Sequence, residues 1–317
     1  MRALVTGGAG FIGHHLVSAL IARGDEVVVL DDFSTGKRER LDAIRSSVEL
    51  IEGDLRDDDA LRRSTQGCEI VYHQAAVASV ARSVADPLRT NSVNVEGTIR
   101  LMLACADAGV KRVVAAGSSS VYGATPELPR RETQRPDPQS PYAVSKLATE
   151  QYVHTIGSLH GMETVVLRYF NVFGPGQDPD SQYAAVVPLF VTAALADRAP
   201  TIYGDGRQSR DFTFIDNVVS ANILGGTVPD VGQLTANVGC GGRFDLLELL
   251  EAIGAVVGAM REPVFEPTRP GDVRDSEADI SVARNRLGYE VMVPFREGIE
   301  RTVAWYEQNT TAPVRAA

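Results

Sequence analysis

Cysteine, lysine and long apolar runs are all scarce in this 317-residue chain, and each scarcity excludes a class of protein. The three cysteines, Cys68, Cys105 and Cys240, lie far apart in apolar surroundings and without Cys-x-x-Cys spacing, so a disulfide scaffold is not indicated and a reducing cytoplasm is the expected compartment. No stretch approaches the ~20 apolar residues of a membrane-crossing helix. Met1 and Arg2 run into a short apolar stretch and then glycines, which lacks the apolar core and cleavage site of a secretory signal. Positive charge is short as well. With 31 Lys+Arg against 41 Asp+Glu the formal charge is -10, and no basic stripe is visible, so a nucleic-acid partner is not expected. Only Lys37, Lys111 and Lys146 are lysine, which makes each of them informative. What remains, 44% hydrophobic and 23% charged residues, is ordinary globular composition and excludes a collagenous or disordered chain.

Short β-rich runs at 3–6, 27–30, 69–72 and 112–115 alternate with helical periods at 11–21 and 95–108. This alternation predicts an α/β fold, a doubly wound parallel sheet of Rossmann type with helices on both faces. The runs are continuously apolar, as burial on both faces demands. A helix is expected from about Tyr142, after a proline-rich loop, and a further buried strand at 164–170. The cofactor-type domain is placed at 1–172 and a smaller mixed α/β substrate domain mainly at 173–308, with the return of some of its segments to the first domain left open; 309–317 reads as a tail. In the second half, helices are expected at 184–196 and 246–260 and a strand at 199–203. No repeat is present.

Gly7, Gly10 and Gly13 stand in Thr-Gly-Gly-Ala-Gly-Phe-Ile-Gly, directly after the first strand and opening the first helix. Glycines there permit a tight turn and let backbone amides approach a pyrophosphate at the positive end of the helix. The next strand ends in Asp31, whose carboxylate can accept both hydroxyls of an adenosine ribose and would repel a 2′-phosphate, so NAD is favoured over NADP. Asp54 follows the apolar pair Leu50 and Ile51 and has two readings: a contact to the adenine amino group, or a helix cap before Leu55.

Tyr142 and Lys146 form Tyr-Ala-Val-Ser-Lys, one helical turn apart on one face. A base needs the phenolate, and a nearby ammonium together with a positive nicotinamide ring favours it. With 9 tyrosines and three lysines this spacing is expected by chance only roughly 0.09 times. Ser118, Ser119 and Ser120 end the strand at 112–116, where an open α/β sheet binds its ligand; each is a candidate to bond a substrate hydroxyl, the bland alternative being a turn that bonds its own backbone.

Together these motifs resemble the extended short-chain dehydrogenase/reductases, and within them the nucleotide-sugar 4-epimerases. The likeness spans nearly the whole chain, through Leu30 to Gly36, His73-Gln74-Ala75-Ala76, Asn94, Leu167 to Asn171, Arg207 to Asp211 and Arg269-Pro270-Gly271-Asp272. It looks closest to UDP-N-acetylglucosamine 4-epimerases in Ser118 to Tyr122 and in Tyr183 to Pro188. The resemblance implies that Gly7, Gly10, Phe11, Ile12 and Gly13 hold the dinucleotide phosphates and that Asp31 and Asp32, with Ser34 and Gly36, hold the adenosine ribose. It further places Asp54 and Leu55 on the adenine, and Gln74, Ala75, Ala76 and Asn94 on the middle of the cofactor. Tyr169 would contact the nicotinamide end, and Ser118, Tyr142 and Lys146 would be catalytic. On the substrate side it assigns Ser119, Ser120, Asn171, Ala185, Val186, Val187, Tyr203, Arg210, Arg269, Asp272 and Ser276. Arginine forks suit a diphosphate chemically; the bland alternative for each second-half arginine is a solvated surface charge. No metal is implied.

The expected activity is NAD-dependent C4 epimerisation of UDP-hexoses through a transient 4-keto sugar. Dehydratases of the superfamily carry an acidic pair after the catalytic hydroxyl, and decarboxylating relatives a glutamate. This chain has Ser119 and Ser120 instead, which counts against both. A UDP-glucuronate 4-epimerase or another nucleotide-sugar enzyme is the nearer rival, and a catalytically silent NAD sensor the distant one. Ser276 stands where a tyrosine in related epimerases restricts the pocket to non-acetylated sugars, so both UDP-N-acetylglucosamine and UDP-glucose are expected substrates. Family likeness also implies a homodimer, joined through the helices at 95–108 and 142–160.

Overall fold

The computed structural model describes residues 1–179, 185–268 and 273–309. Its centre is a seven-stranded, wholly parallel sheet. Six strands come from the first half: β1 Arg2–Thr6, β2 Glu26–Asp31, β3 Val48–Glu52, β4 Ile70–His73, β5 Arg112–Ser118 and β6 Glu163–Tyr169. The seventh, Gln233–Val238, arrives from the second half and pairs with β6 at one edge. Across the sheet the order is Gln233–Val238, β6, β5, β4, β1, β2, β3. The order in which strands are added therefore reverses between β1 and β4, and the crevice beyond the carboxyl ends of those strands is where such sheets bind ligands.

Alternate residues of each strand feed two cores. Val5, Val29, Tyr72 and Val165 face one side, under helix α1 (Phe11–Ala22) and helix Ile215–Thr227. Leu4, Val28, Val71 and Val166 face the other, together with Leu101, Met102 and Cys105 of helix Gly97–Ala108 and Val153 of helix Pro141–Leu159. Burial on both faces is why these strands carry apolar runs rather than alternation.

Helix boundaries follow their caps. Asp57 opens α2 (Asp58–Thr65), accepting from the amides of Asp59 and Ala60, so Asp57 and not Asp54 is the cap there. Ser140 opens Pro141–Leu159 with Oγ 3.2 Å from the Ala143 amide, and proline fills the first turn, where its missing N–H costs nothing. The helix expected from residue 95 is entered through a π turn, Ser92–Glu96, a rare form concentrated at functional sites. The second-half elements are short: Thr201–Tyr203 pairs with Val264–Glu266, and two-residue strands supply much of the rest. Helices Val186–Leu195 and Leu246–Val257 lie within the expected spans. An aromatic cluster fills this region, with Phe244 stacked on Phe295 at 4.0 Å and Phe212 on Phe295 at 5.5 Å. Among the described residues no helix is long and apolar enough to cross a membrane.

Candidate active site

The glycine turn is built from backbone contacts. Gly7 adopts φ +69 and donates to the Leu30 carbonyl at 2.8 Å, which ties the turn to the end of β2. At Gly13 a Cβ would stand 2.0 Å from the Gly7 carbonyl oxygen, so only glycine lets α1 start this close to the turn. No side chain caps α1 at Gly10. The first-turn amides of Phe11, Ile12 and Gly13 are thus left without a capping side chain, at the positive end of the helix dipole, which fits a pyrophosphate.

Asp31 ends β2 and is buried. Its Oδ2 accepts from the Ala9 amide at 2.8 Å and its Oδ1 from the Phe33 amide at 2.9 Å, so the carboxylate braces the glycine turn while each oxygen keeps lone-pair capacity for a ribose hydroxyl. Burial pushes its pKa up, against the pull of those two amides. Gly36 passes against the same carboxylate. Asp32 is exposed and its Oδ1 takes both the amide and the hydroxyl of Ser34 in a local turn. Asp54 is gripped by Arg56 through the amide, Nε and Nη2, and Arg56 holds its carboxyl below the usual range. The Leu55 side chain packs into the second core against Gly97.

At the carboxyl ends of β4, β5 and β6 the polar groups are nearly all paired. Gln74 Nε2 donates to Asn222 Oδ1 at 2.9 Å, and the Tyr169 hydroxyl lies 3.1 Å from Gln74 Oε1 and 3.0 Å from Asn222 Oδ1. Asn94, inside the π turn, accepts from the Val77 amide at 2.7 Å and donates to Ser145 Oγ at 3.0 Å, tying the loop after β4, which contains Ala75 and Ala76, to the helix that carries Tyr142. His73 is buried between Thr6 and Thr98, and burial, aided by the Lys146 charge, lowers its pKa to about 3, so it is neutral.

Ser118 ends β5 and caps the single turn Ser119–Tyr122. Its hydroxyl lies 2.8 Å from that of Ser120 and accepts from the Ser120 amide at 3.2 Å, so the serine turn bonds its own backbone. It also stands close enough to the Tyr142 phenol to favour its ionised form. Tyr142 and Lys146 occupy one face of helix Pro141–Leu159, and Lys146 Nζ donates to the Ala116 carbonyl at 2.8 Å. Burial raises the Tyr142 pKa, with Ser118 pulling down, and burial lowers Lys146 to about 8. Lys146 is engaged at β5, and without the positive nicotinamide ring burial holds Tyr142 as the neutral phenol.

On the substrate side, Asn171 holds φ +24 and donates from Nδ2 to the Asp211 carbonyl at 3.3 Å. Arg210 directs Nη1 at the Ser209 and Arg274 carbonyls, both at 2.9 Å, and the Ser276 amide donates to the Ser209 carbonyl at 3.1 Å, so Arg210 and Ser276 are brought together. Tyr203 is half-buried at the end of its strand; Ala185 is exposed, Val186 half-buried, and Val187 wholly within the core. Arg269 and Asp272 lie outside the described residues.

Two groups that sequence reasoning missed hold this region. Asp211, fully buried, accepts from the amides of Cys240 (2.7 Å), Gly241 (3.0 Å) and Ala278 (3.1 Å), and burial lifts its pKa to about 6. Asn222 is a buried amide in the apolar stripe of Ile215–Thr227; a polar residue at a core position of a helical period was the available signal. No cluster of three potential metal ligands occurs among the described residues.

This arrangement, a phosphate turn with an acid-ended second strand and a Ser, Tyr, Lys set at the end of β5, defines a nucleotide-cofactor oxidoreduction site on a Rossmann-type sheet. Residues 3–239 match the NAD dependent epimerase/dehydratase family, and the chain belongs to it. UDP-glucose 4-epimerase of Mycolicibacterium smegmatis is 42% identical over 98% of this chain and 100% of its own length. UDP-glucuronate 4-epimerase of Thermodesulfobacterium geofontis is 32% identical over 96% of each chain. Among solved structures, UDP-N-acetylglucosamine 4-epimerase from Methanobrevibacter ruminantium in complex with UDP-N-acetylmuramic acid superposes with TM-score 0.93, at 39% identity over 98% of this chain and 99% of that one. Thermus thermophilus UDP-glucose 4-epimerase complexed with NAD gives 0.88, at 38% identity over 98% and 100%. The chain is an enzyme of the UDP-sugar epimerase group, and NAD is its cofactor.

Proposed function

We propose that the enzyme interconverts C4 epimers of UDP-hexoses, acetylated and non-acetylated alike. The observation that carries this reading is the Ser118, Tyr142 and Lys146 set followed by hydroxyls, Ser119 and Ser120, rather than carboxylates. Hydroxyl-only chemistry suits removal and return of one C4 hydrogen with its hydroxyl proton, and offers no acid or base in that turn for elimination of water or carbon dioxide.

The first-turn amides of α1 would hold the pyrophosphate, and Asp31 and Lys146 the riboses. When bound, NAD would supply a reversible hydride acceptor for the C4 hydrogen. Tyr142, as the phenolate that the positive nicotinamide ring would favour, would take the C4 hydroxyl proton onto its phenolic oxygen, and Ser118 would donate a hydrogen bond to the same sugar oxygen as it becomes a carbonyl. The ketone turns over and Tyr142 returns the proton. Arg210, with Arg269, would carry the diphosphate, and Val187 and Tyr203 would flank the uracil. The cofactor domain is placed at 1–172, completed by Gln233–Val238. Exposed Leu103, Tyr152 and Leu159, on the two helices that cover one sheet face, support a homodimer.

Substrate width is assigned to Ser276, half-buried beside Ser209 and Arg210. Excluding a group by bulk is a repulsive device, so a small residue widens the range. Ser276→Tyr should depress turnover of UDP-N-acetylglucosamine strongly and that of UDP-glucose much less; equal loss on both, or none on either, would remove Ser276 from this role.

A further inference from the structure

Four consecutive residues of the segment that follows the substrate-side Asn171 are fastened to distant parts of the chain. The Pro175 carbonyl receives His15 Nε2 at 2.9 Å, and the Gly176 carbonyl receives Arg40 Nη2 at 2.8 Å. The Gln177 carbonyl accepts from the Tyr306 hydroxyl, and the Asp178 carboxylate pairs with Lys37 Nζ at 3.0 Å. Three of these four anchors flank the dinucleotide turn: His15 lies two residues past Gly13, and Lys37 and Arg40 follow Gly36.

Arg40 joins the two sides. Its other nitrogen, Nη1, donates to the Ala9 carbonyl at 3.2 Å, the same carbonyl that receives the Lys37 amide at 3.0 Å. The amide of Ala9 is the one held by Asp31. One guanidinium fork therefore spans from the phosphate turn to residues 175–178. Its charge is central as well: burial lowers its pKa, while Asp178 and Asp31 act in the opposite direction, and its field helps keep His14 and His15 neutral. Neutral His14 uses Nδ1 to donate to the Gly10 carbonyl at 2.9 Å, within the same turn.

We propose that Arg40 is a positioning residue that straps residues 175–178 to the phosphate turn, so that the dinucleotide cannot leave until this fork lets go. Such a strap suits an enzyme whose cofactor is regenerated in every cycle. The inference rests on the NAD site rather than on which UDP-sugar is turned over. Lysine, a point charge, reaches one carbonyl and not both.

The test is the release rate of NAD from the loaded enzyme after dilution into an NAD-consuming scavenger, followed by loss of bound nucleotide. Breaking a pair of charge-assisted hydrogen bonds should speed release about tenfold to a hundredfold in Arg40→Met, with Arg40→Lys intermediate. The Michaelis constant for the UDP-sugar should move far less than the release rate. A role in folding alone would lower the melting temperature of cofactor-free and loaded protein equally and leave the release rate unchanged, which would overturn the proposal. Hydrogen exchange of the unmodified enzyme gives a second readout should the variants not fold: NAD should slow exchange at 8–10 and 176–178 together. Protection confined to 8–10 would also overturn it.

Discussion

The sheet region and the region beyond Asn171 are held together by different means. In the first, four- to seven-residue strands are buried mostly on both faces, and the phosphate turn is set by backbone contacts around Gly7 and Gly13. In the second, two-residue strands are organised by single buried polar groups: Asp211 on three amides, Asn217 on Val293, and Asn237 on the carbonyls of Arg130 and Asp279. A continuous framework spreads its stability over many apolar contacts. A region of long-range polar anchors concentrates it in a few residues, each of which should be disproportionately costly to remove.

The chemistry itself should be the most fragile element. Tyr142→Phe keeps the ring and removes the proton carrier, so kcat should fall by about 10³ or more while NAD stays bound, read from the ratio of nucleotide to protein absorbance. Retained turnover would break the assignment. In the sheet region, Gly13→Ala puts a methyl 2.0 Å from the Gly7 carbonyl. Retention of NAD should drop by more than about tenfold while the seven-stranded core still unfolds cooperatively, checked by nucleotide content and urea melts.

In the other region, Asp211→Ala leaves three buried amides without an acceptor, at about 2–4 kcal/mol in urea unfolding. Its pH dependence has a definite sign. The folded pKa is about 6 against an ordinary 3.8, so between about pH 4 and 6 the folded protein keeps a proton that the unfolded chain has released. The contribution of this carboxyl is full below pH 4 and declines as pH rises to 6, and the gap between wild type and Asp211→Ala should narrow across that window. A gap that widened with pH would show that the three amides, not burial, dominate. The smallest effect concerns Tyr142: in cofactor-free enzyme its phenol should titrate above 10 by ultraviolet absorbance, since burial outweighs the pull of Ser118, and Lys146 is held at Ala116.

The same contrast governs what the sequence discloses. Residues 3–6, 27–30 and 112–115 announce themselves because two-sided burial demands unbroken apolar runs, and Gly7 to Gly13, Asp31, Tyr142 and Lys146 because their spacing is local. The edge strand Gln233–Val238 carries only Leu234, Ala236 and Val238 in alternation with polar residues, so its membership of the sheet depends on β6 rather than on its own pattern. Asp211 and Arg40 were illegible for a related reason. Their partners lie 29 and 136 residues away, at Cys240 and Gly176, and no local pattern encodes such a bond. Asp54 shows the converse, since the cap position three residues on, at Asp57, depended on where the turn closed.

The most direct measurement of the central claim is the turnover of UDP-N-acetylglucosamine and UDP-glucose in heavy water, with products resolved by mass and proton resonance. A redox-neutral exchange at C4, with Tyr142 moving only the hydroxyl proton, predicts 4-epimers of unchanged carbon-bound hydrogen content, no deuterium at C4 or C5, and no requirement for a second substrate. Deuterium at C5, or a product lighter by water or carbon dioxide, would contradict it.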